Sequence, residues 1–217
     1  MKKIGVLGTG IVGQTIGAKL LELGYIVMLG SRTSDNEKAG EWVTKYGTNA
    51  LQGTFNDTVA FGEMLFNCTK GEASLDILKS CDKKHFSGKI LVDVSNPLDF
   101  SKGMPPILIP ELCNTYSLGE AIQELLPDTK VVKTLNIVTC SVMVNAHTSG
   151  GDATMLVAGN DLEAKSQVSE LLHQFGWNDI MDLGDIRHAR STEMMLPVWL
   201  SIYLTTQNAT LAFKIIR

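Results

Sequence analysis

"GVLGTGIVGQTIGAKLLELGYIVMLGSR" occupies residues 5–32. An apolar run, Ile4–Leu7, stops at glycines 8, 10 and 13. A segment with apolar residues at 12, 16, 20 and 23 follows, halts at Gly24, and gives way to a second apolar run, Tyr25–Leu29. Steps of three and four are those of a helix face, and glycine is a common helix stop. The order is therefore strand, glycine loop, helix, strand. In that setting Gly8-Thr9-Gly10-Ile11-Val12-Gly13 reads as a pyrophosphate cradle. The first glycine permits the tight turn, the second lets phosphate approach the backbone, and the third lets the helix pack on the strand. The helix N-terminus adds unpaired N–H donors and a partial positive charge. Gly17 puts a further small residue on the helix face that meets the sheet.

The end of the second strand makes a further selection. An acid there would bond the ribose hydroxyls of a dinucleotide and repel a 2′-phosphate. This chain has Gly30, then Ser31 and Arg32. A hydroxyl and a guanidinium fork suit a phosphate, so the expected ligand is NADP(H) rather than NAD(H).

The pattern continues beyond this unit. Asp35 or Asn36 caps a helix through Tyr46. A weakly written third strand lies within 50–53, and Asn56 or Asp57 opens a short helix. Glu63–Cys68 is a fourth strand, followed by a helix to about Ser80, and "KILVDVSNP" (89–97) a fifth. Residues 99–116 hold three prolines and little periodicity, which reads as a long irregular loop. Ser117 caps a helix to Leu126. Val131–Leu135, Ala153–Ala158 and Asp179–Leu183 are strands six to eight, with a helix over 161–175. From Ile186 to the end the chain reads as largely helical apart from the Pro197 region. Alternating strands and helices predict an α/β, Rossmann-type doubly wound, mostly parallel sheet of about eight strands. The predicted division is a dinucleotide-binding domain over 1–184 and a small helical lobe over 185–217, packing on the sheet or on a partner.

Composition limits the partners. The chain has 217 residues, 44% hydrophobic and 19% charged, with a net charge of −4. No basic stripe interleaved with aromatics points to nucleic acid. The apolar segment 194–204 is too short to span a bilayer, which takes about 20 residues. Cys68, Cys81, Cys113 and Cys140 form no CxxC pair, so a metal site is unsupported and reduced, buried thiols are expected. With no secretion signal at the N-terminus, a cytoplasmic location is expected.

The glycine-loop run, together with "GKILVDVSNP", "VVKTLNIV", "LVAGND" and "DLGDIRHARSTEMMLPVWL", resembles the NADPH-dependent reductases of the deazaflavin coenzyme F420. The same pattern is similar to the cytoplasmic domain of six-transmembrane ferric reductases, although this chain carries no six-helix portion. The resemblance covers nearly the whole chain. It implies a homodimer and hydride transfer between NADP(H) and a flat isoalloxazine-like ring. On that analogy Gly8, Thr9, Gly10, Ile11 and Val12 touch the pyrophosphate, and Ser31 and Arg32 hold the 2′-phosphate. Cys68, Thr69, Asn96 and Pro97 lie at the carboxyl ends of strands four and five. The loop 67–71 lacks the proline and aromatic of the deazaflavin reductases, so the acceptor stays open between a deazaflavin, a flavin and another small molecule.

Hydride transfer between stacked rings needs alignment more than acid–base help. No catalytic triad or HExxH is present, and no catalytic side chain is expected. Asn136, Ile137 and Val138 are candidates for the second ring's pocket. His147 reads as a loop histidine. His188 reads, with Arg187, Arg190 and Glu193, as part of a solvated, mutually paired helix end. Two other readings stay open: reduction of a small imine or carbonyl compound, and a non-enzymatic NADPH sensor.

Overall fold

A computed structural model describes residues 2–217. In chain order the elements are β1 (Lys3–Leu7), α1 (Ile11–Glu22), β2 (Ile26–Ser31), α2 (Glu37–Tyr46), β3 (Ala50–Thr54), α3 (Phe55–Phe61), β4 (Met64–Asn67) and α4 (Gly71–Ser80). There follow β5 (Ile90–Asp93), a two-residue pair β6 (Leu98–Asp99) and β7 (Ile107–Leu108), α5 (Leu118–Leu125), β8 (Lys130–Lys133) and α6 (Cys140–Val144). The chain continues through β9 (Thr154–Gly159), α7 (Leu162–Gln174), β10 (Asp179–Asp182) and α8 (Ala189–Thr206).

Eight strands form one sheet in the order β10-β9-β8-β5-β4-β1-β2-β3. All neighbours run parallel except β8 and β9. The order reverses at β1, the switch point where open α/β sheets place their ligands. Leu7 stands opposite Gly30 on one side and Asn67 on the other. The carboxyl ends of β1, β2 and β4 are therefore level, and the loops that leave them share one cleft.

Alternation along the strands feeds two cores. Ile4, Val6, Val27 and Leu29 pack with Ile16 and Leu20 of α1 and Trp42 of α2 on one face. Leu7, Leu65 and Leu91 pack with Val59, Leu78 and Ile122 of α3, α4 and α5 on the other. The helices start where their caps dictate. Asn36 accepts the Ala39 N–H, Thr54 and Asp57 form a reciprocal capping box, and Ser117 accepts the Glu120 N–H.

Three details differ from the sequence reading. Residues 99–116 are not wholly irregular: Leu98 and Leu108 pair across a short antiparallel hairpin. Its strands are too short for alternation to register in sequence. Pro197 lies inside α8 instead of interrupting it. The chain after Thr206 is not helical: Gln207 closes the helix in a left-handed conformation, φ 54°. The tail then returns to its own sheet. Thr154 N–H donates to the Phe213 carbonyl, and Trp199 Nε1 donates to the Leu211 carbonyl at 3.0 Å. Asp179 is gripped by Lys214 and Arg217, each at 2.7 Å. Among the described residues no helix is long and apolar enough to cross a membrane.

Candidate functional site

The loops at the switch point line a cleft of about 1000 Å³. Its floor is Gly8, Thr9 and Gly10, and one wall is Gly30, Ser31, Arg32 and Thr33 with Asn36 and Lys38. The other wall is Phe55, Cys68, Thr69, Lys70, Ala73 and Ile77. Each glycine of the loop has a distinct geometric reason. Gly8 sits at φ +120°, and a Cβ there would lie 2.7 Å from the Cys68 carbonyl oxygen. A Cβ on Gly13 would lie 2.1 Å from the Gly8 carbonyl oxygen. A Cβ on Gly10 would meet nothing within 4 Å. The outer two glycines close the turn, and the middle one faces open space. No side chain caps α1, so its first-turn N–H groups stay available to an anion. These features fit a dinucleotide: a bare backbone floor for the pyrophosphate and a basic wall beside it.

At the end of β2, Ser31 is buried and Arg32 exposed. Ser31 Oγ donates to the Thr33 carbonyl at 2.5 Å and accepts the Thr33 N–H at 3.1 Å, which fixes the turn carrying Arg32. Phe55, Ala73 and Ile77 make the opposing wall partly apolar, suited to a planar base. The sequence reading did not select these three, because nothing local marks a helix residue as facing a cleft formed by distant loops.

The cleft brings together Gly8, Thr9, Gly10, Ser31, Arg32, Cys68 and Thr69. Ile11 is 70% exposed at the first turn of α1, and Val12 packs against the core; neither lines the cleft. Asn96 and Asn136 lie at the ends of the neighbouring strands and brace each other. Asn96 Nδ2 donates to the Asn136 carbonyl and Asn136 Nδ2 to Asn96 Oδ1, both at 2.9 Å. Asn136 Nδ2 also donates to the Thr192 carbonyl of α8. Pro97, Ile137 and Val138 are buried around this brace.

Behind the strand ends lies a dry ionic network. Lys133 Nζ lies 2.8 Å from both Asp93 and Glu193 and donates to the Ser95 carbonyl at 2.5 Å. Lys133 and Asp93 are 0% exposed and Glu193 1%. Glu193 also accepts the Leu118 and Gly119 N–H groups that open α5. Asp93 accepts from Asn67 Nδ2 at 2.9 Å and Ser95 Oγ at 2.7 Å. Thr69 Oγ1 in turn donates to Asn67 Oδ1 at 2.6 Å, so the network runs from the cleft wall to α8. Burial alone would pull the Lys133 ammonium down, but the two carboxylates facing it hold it above an ordinary lysine. Burial pushes the Glu193 carboxyl up, against the pull of Lys133.

This network corrects the reading of Glu193 as part of a solvated helix end. Arg187 does pair at the surface with Asp185, and Arg190 pairs with Glu120. Glu193 faces inward, one turn further along α8. The available signal was a lysine inside the apolar strand "VVKTL" and an aspartate inside "ILVDV", since a buried charge requires a partner. His147 and His188 are exposed, and no histidine lines the cleft among the described residues. All four cysteines are free. Burial raises the Cys68 thiol well above an ordinary cysteine, so it is not a ready nucleophile.

Known proteins resemble this arrangement. A family model described as NADP oxidoreductase, coenzyme F420-dependent, matches residues 3–97. A crystal structure provisionally named an F420-dependent NADP reductase, from Arthrobacter sp. FB24, matches with a TM-score of 0.93 and 43% identity, both chains covered in full. The F420-dependent NADP reductase of Methanocaldococcus jannaschii is 28% identical, over 98% of this chain and 97% of its own. Metalloreductase STEAP3 of Rattus norvegicus is 30% identical over 91% of this chain, which spans only 38% of that longer relative.

Proposed function

This chain belongs to the family of coenzyme F420-dependent NADP oxidoreductases, and from that premise we propose that it moves a hydride between NADP(H) and a flavin-like or deazaflavin ring. Bound NADP(H) supplies the hydride. Gly8, Thr9 and Gly10, with the free N–H groups of α1 near Ile11 and Val12, hold the pyrophosphate. Arg32, on the turn fixed by Ser31, pairs with the 2′-phosphate, while Phe55, Ala73 and Ile77 flank the adenine. Cys68, Thr69, Asn96 and Pro97 border the nicotinamide half, which extends toward the ends of β4 and β5. Asn136, Ile137 and Val138 back the acceptor's place.

The observation that carries this reading is the meeting of the uncapped glycine loop and Arg32 in one cleft without an acid at position 30. Residues 185–217 serve as a lobe seated on the sheet. A homodimer would cover Val198, 54% exposed, and Met194, 38% exposed, on α8. Four free thiols suit a reducing, cytoplasmic setting.

Mixing the protein with NADPH and each of a deazaflavin, FMN, FAD and a quinone, while following the nicotinamide absorbance, tests the proposal. Loss of absorbance with a ring acceptor supports it. NADPH binding without turnover of any acceptor would favour a sensor.

A further inference from the structure

Gly30 occupies the position at the end of β2 where an acid would select NAD(H). Its φ lies outside the left-handed region, so backbone freedom does not explain the glycine. Space does. A Cβ at position 30 would lie 2.7 Å from Thr58 Oγ1, 3.0 Å from Thr58 Cβ and 3.3 Å from Thr58 Cγ2. The contact with Oγ1 is closer than real Cβ atoms make, whereas the 3.0 Å approach to the Thr58 Cβ asks for a shift of only a few tenths of an ångström. Thr58 is 0% exposed. Its hydroxyl has no hydrogen-bond partner, although a helical threonine commonly bonds back along its own helix. The same residue crowds β1: its carbonyl oxygen lies 2.5 Å, and its γ-methyl 3.0 Å, from where a Cβ of Gly5 would stand. Helix α3 is thus seated on β1 and β2 through two glycines, and the branched head of Thr58 fills the side-chain volume of position 30.

We propose that Thr58 is a specificity-determining residue, which closes position 30 to any side chain and above all to the acid that would favour an unphosphorylated ribose. The inference rests on the NADP(H) reading above. It adds that selection is built into packing beneath β2 as well as into Arg32 on the cleft wall.

The test compares four proteins: wild type, Gly30→Asp, Thr58→Ala and the double variant. Melting temperatures and NADPH and NADH fluorescence titrations are measured on each. Gly30→Asp alone is expected to melt well below wild type, or fail to fold, and to gain no NADH binding. The double variant is expected to recover most of that loss, since only a Cβ–Cβ approach of 3.0 Å remains to relax. It should also raise the NADH-to-NADPH affinity ratio at least tenfold over wild type. A wild-type melting temperature for Gly30→Asp alone would overturn the proposal. So would a double variant no more stable than the two single losses predict, or one that recovers stability with the affinity ratio unchanged. If wild type bound neither nucleotide, the NADP(H) reading would fall, while the melting comparison would still decide whether Thr58 blocks position 30.

Discussion

Arg32 and Lys133 show how differently two cations contribute in one molecule. Arg32 is exposed on a loop and costs the fold little, so its effect should appear in binding. Arg32→Glu replaces charge-assisted bonds to a phosphate by repulsion. It should weaken NADPH by about 2 kcal/mol or more, roughly 30-fold, with NADH nearly unaffected, as read by fluorescence titration. Lys133 is 0% exposed between two carboxylates. Lys133→Met would leave those carboxylates uncompensated and should destabilise by about 3–5 kcal/mol in urea unfolding. At this scale the sequence was legible where partners are local. Glycines 8, 10 and 13 and the Ser31-Arg32 pair belong to one unit of 28 residues. Asp93, Lys133 and Glu193 meet from three distant segments; the apolar runs around Asp93 and Lys133 hinted that each required a partner, while nothing local marked Glu193 as facing inward.

Helix α1 and its glycine loop illustrate how an element is positioned by what its residues lack. Gly13 has no side chain to hold its helix away from Gly8, and Gly17 lets Trp42 close over it, since a Cβ there would lie 2.9 Å from the ring. Gly13→Ala should force α1 off β1, because its methyl would stand 2.1 Å from a carbonyl oxygen. The expected result is loss of NADPH binding together with a lowered melting temperature. Such elements were readable because apolar spacing and caps are local properties: Asn36 and Ser117 cap the helices anticipated for them. Helix α8 was less readable. Its proline is accommodated within the helix, and its end is marked by a left-handed Gln207 instead of the usual glycine. The tail beyond it looks helical only by its apolar content, whereas Phe213 and Ile215 bond to Thr154 at the start of β9.

Across the whole molecule, strand alternation made the fold class visible, while the level ends of β1, β2 and β4 that create the cleft arise only from register. Charge linkage also acts at this scale. Bonds from Arg217, then Lys214 and Thr154, hold the Asp179 carboxyl below the ordinary carboxylate range, tying the carboxyl terminus to β10. A depressed folded-state value means that this contribution is present above the unfolded value and is lost as pH falls through the folded one. Asp179→Asn should therefore be less stable than wild type at pH 7. The gap between their urea midpoints should narrow as pH drops below about 4; a gap constant down to pH 2 would place the effect in packing.

The most direct test is the crystal structure of the protein with NADPH. The predicted result has the pyrophosphate against the backbone of Gly8–Gly13 and the 2′-phosphate within hydrogen-bond reach of Arg32. A nucleotide bound elsewhere, or an Arg32 directed away from every phosphate, would contradict the account.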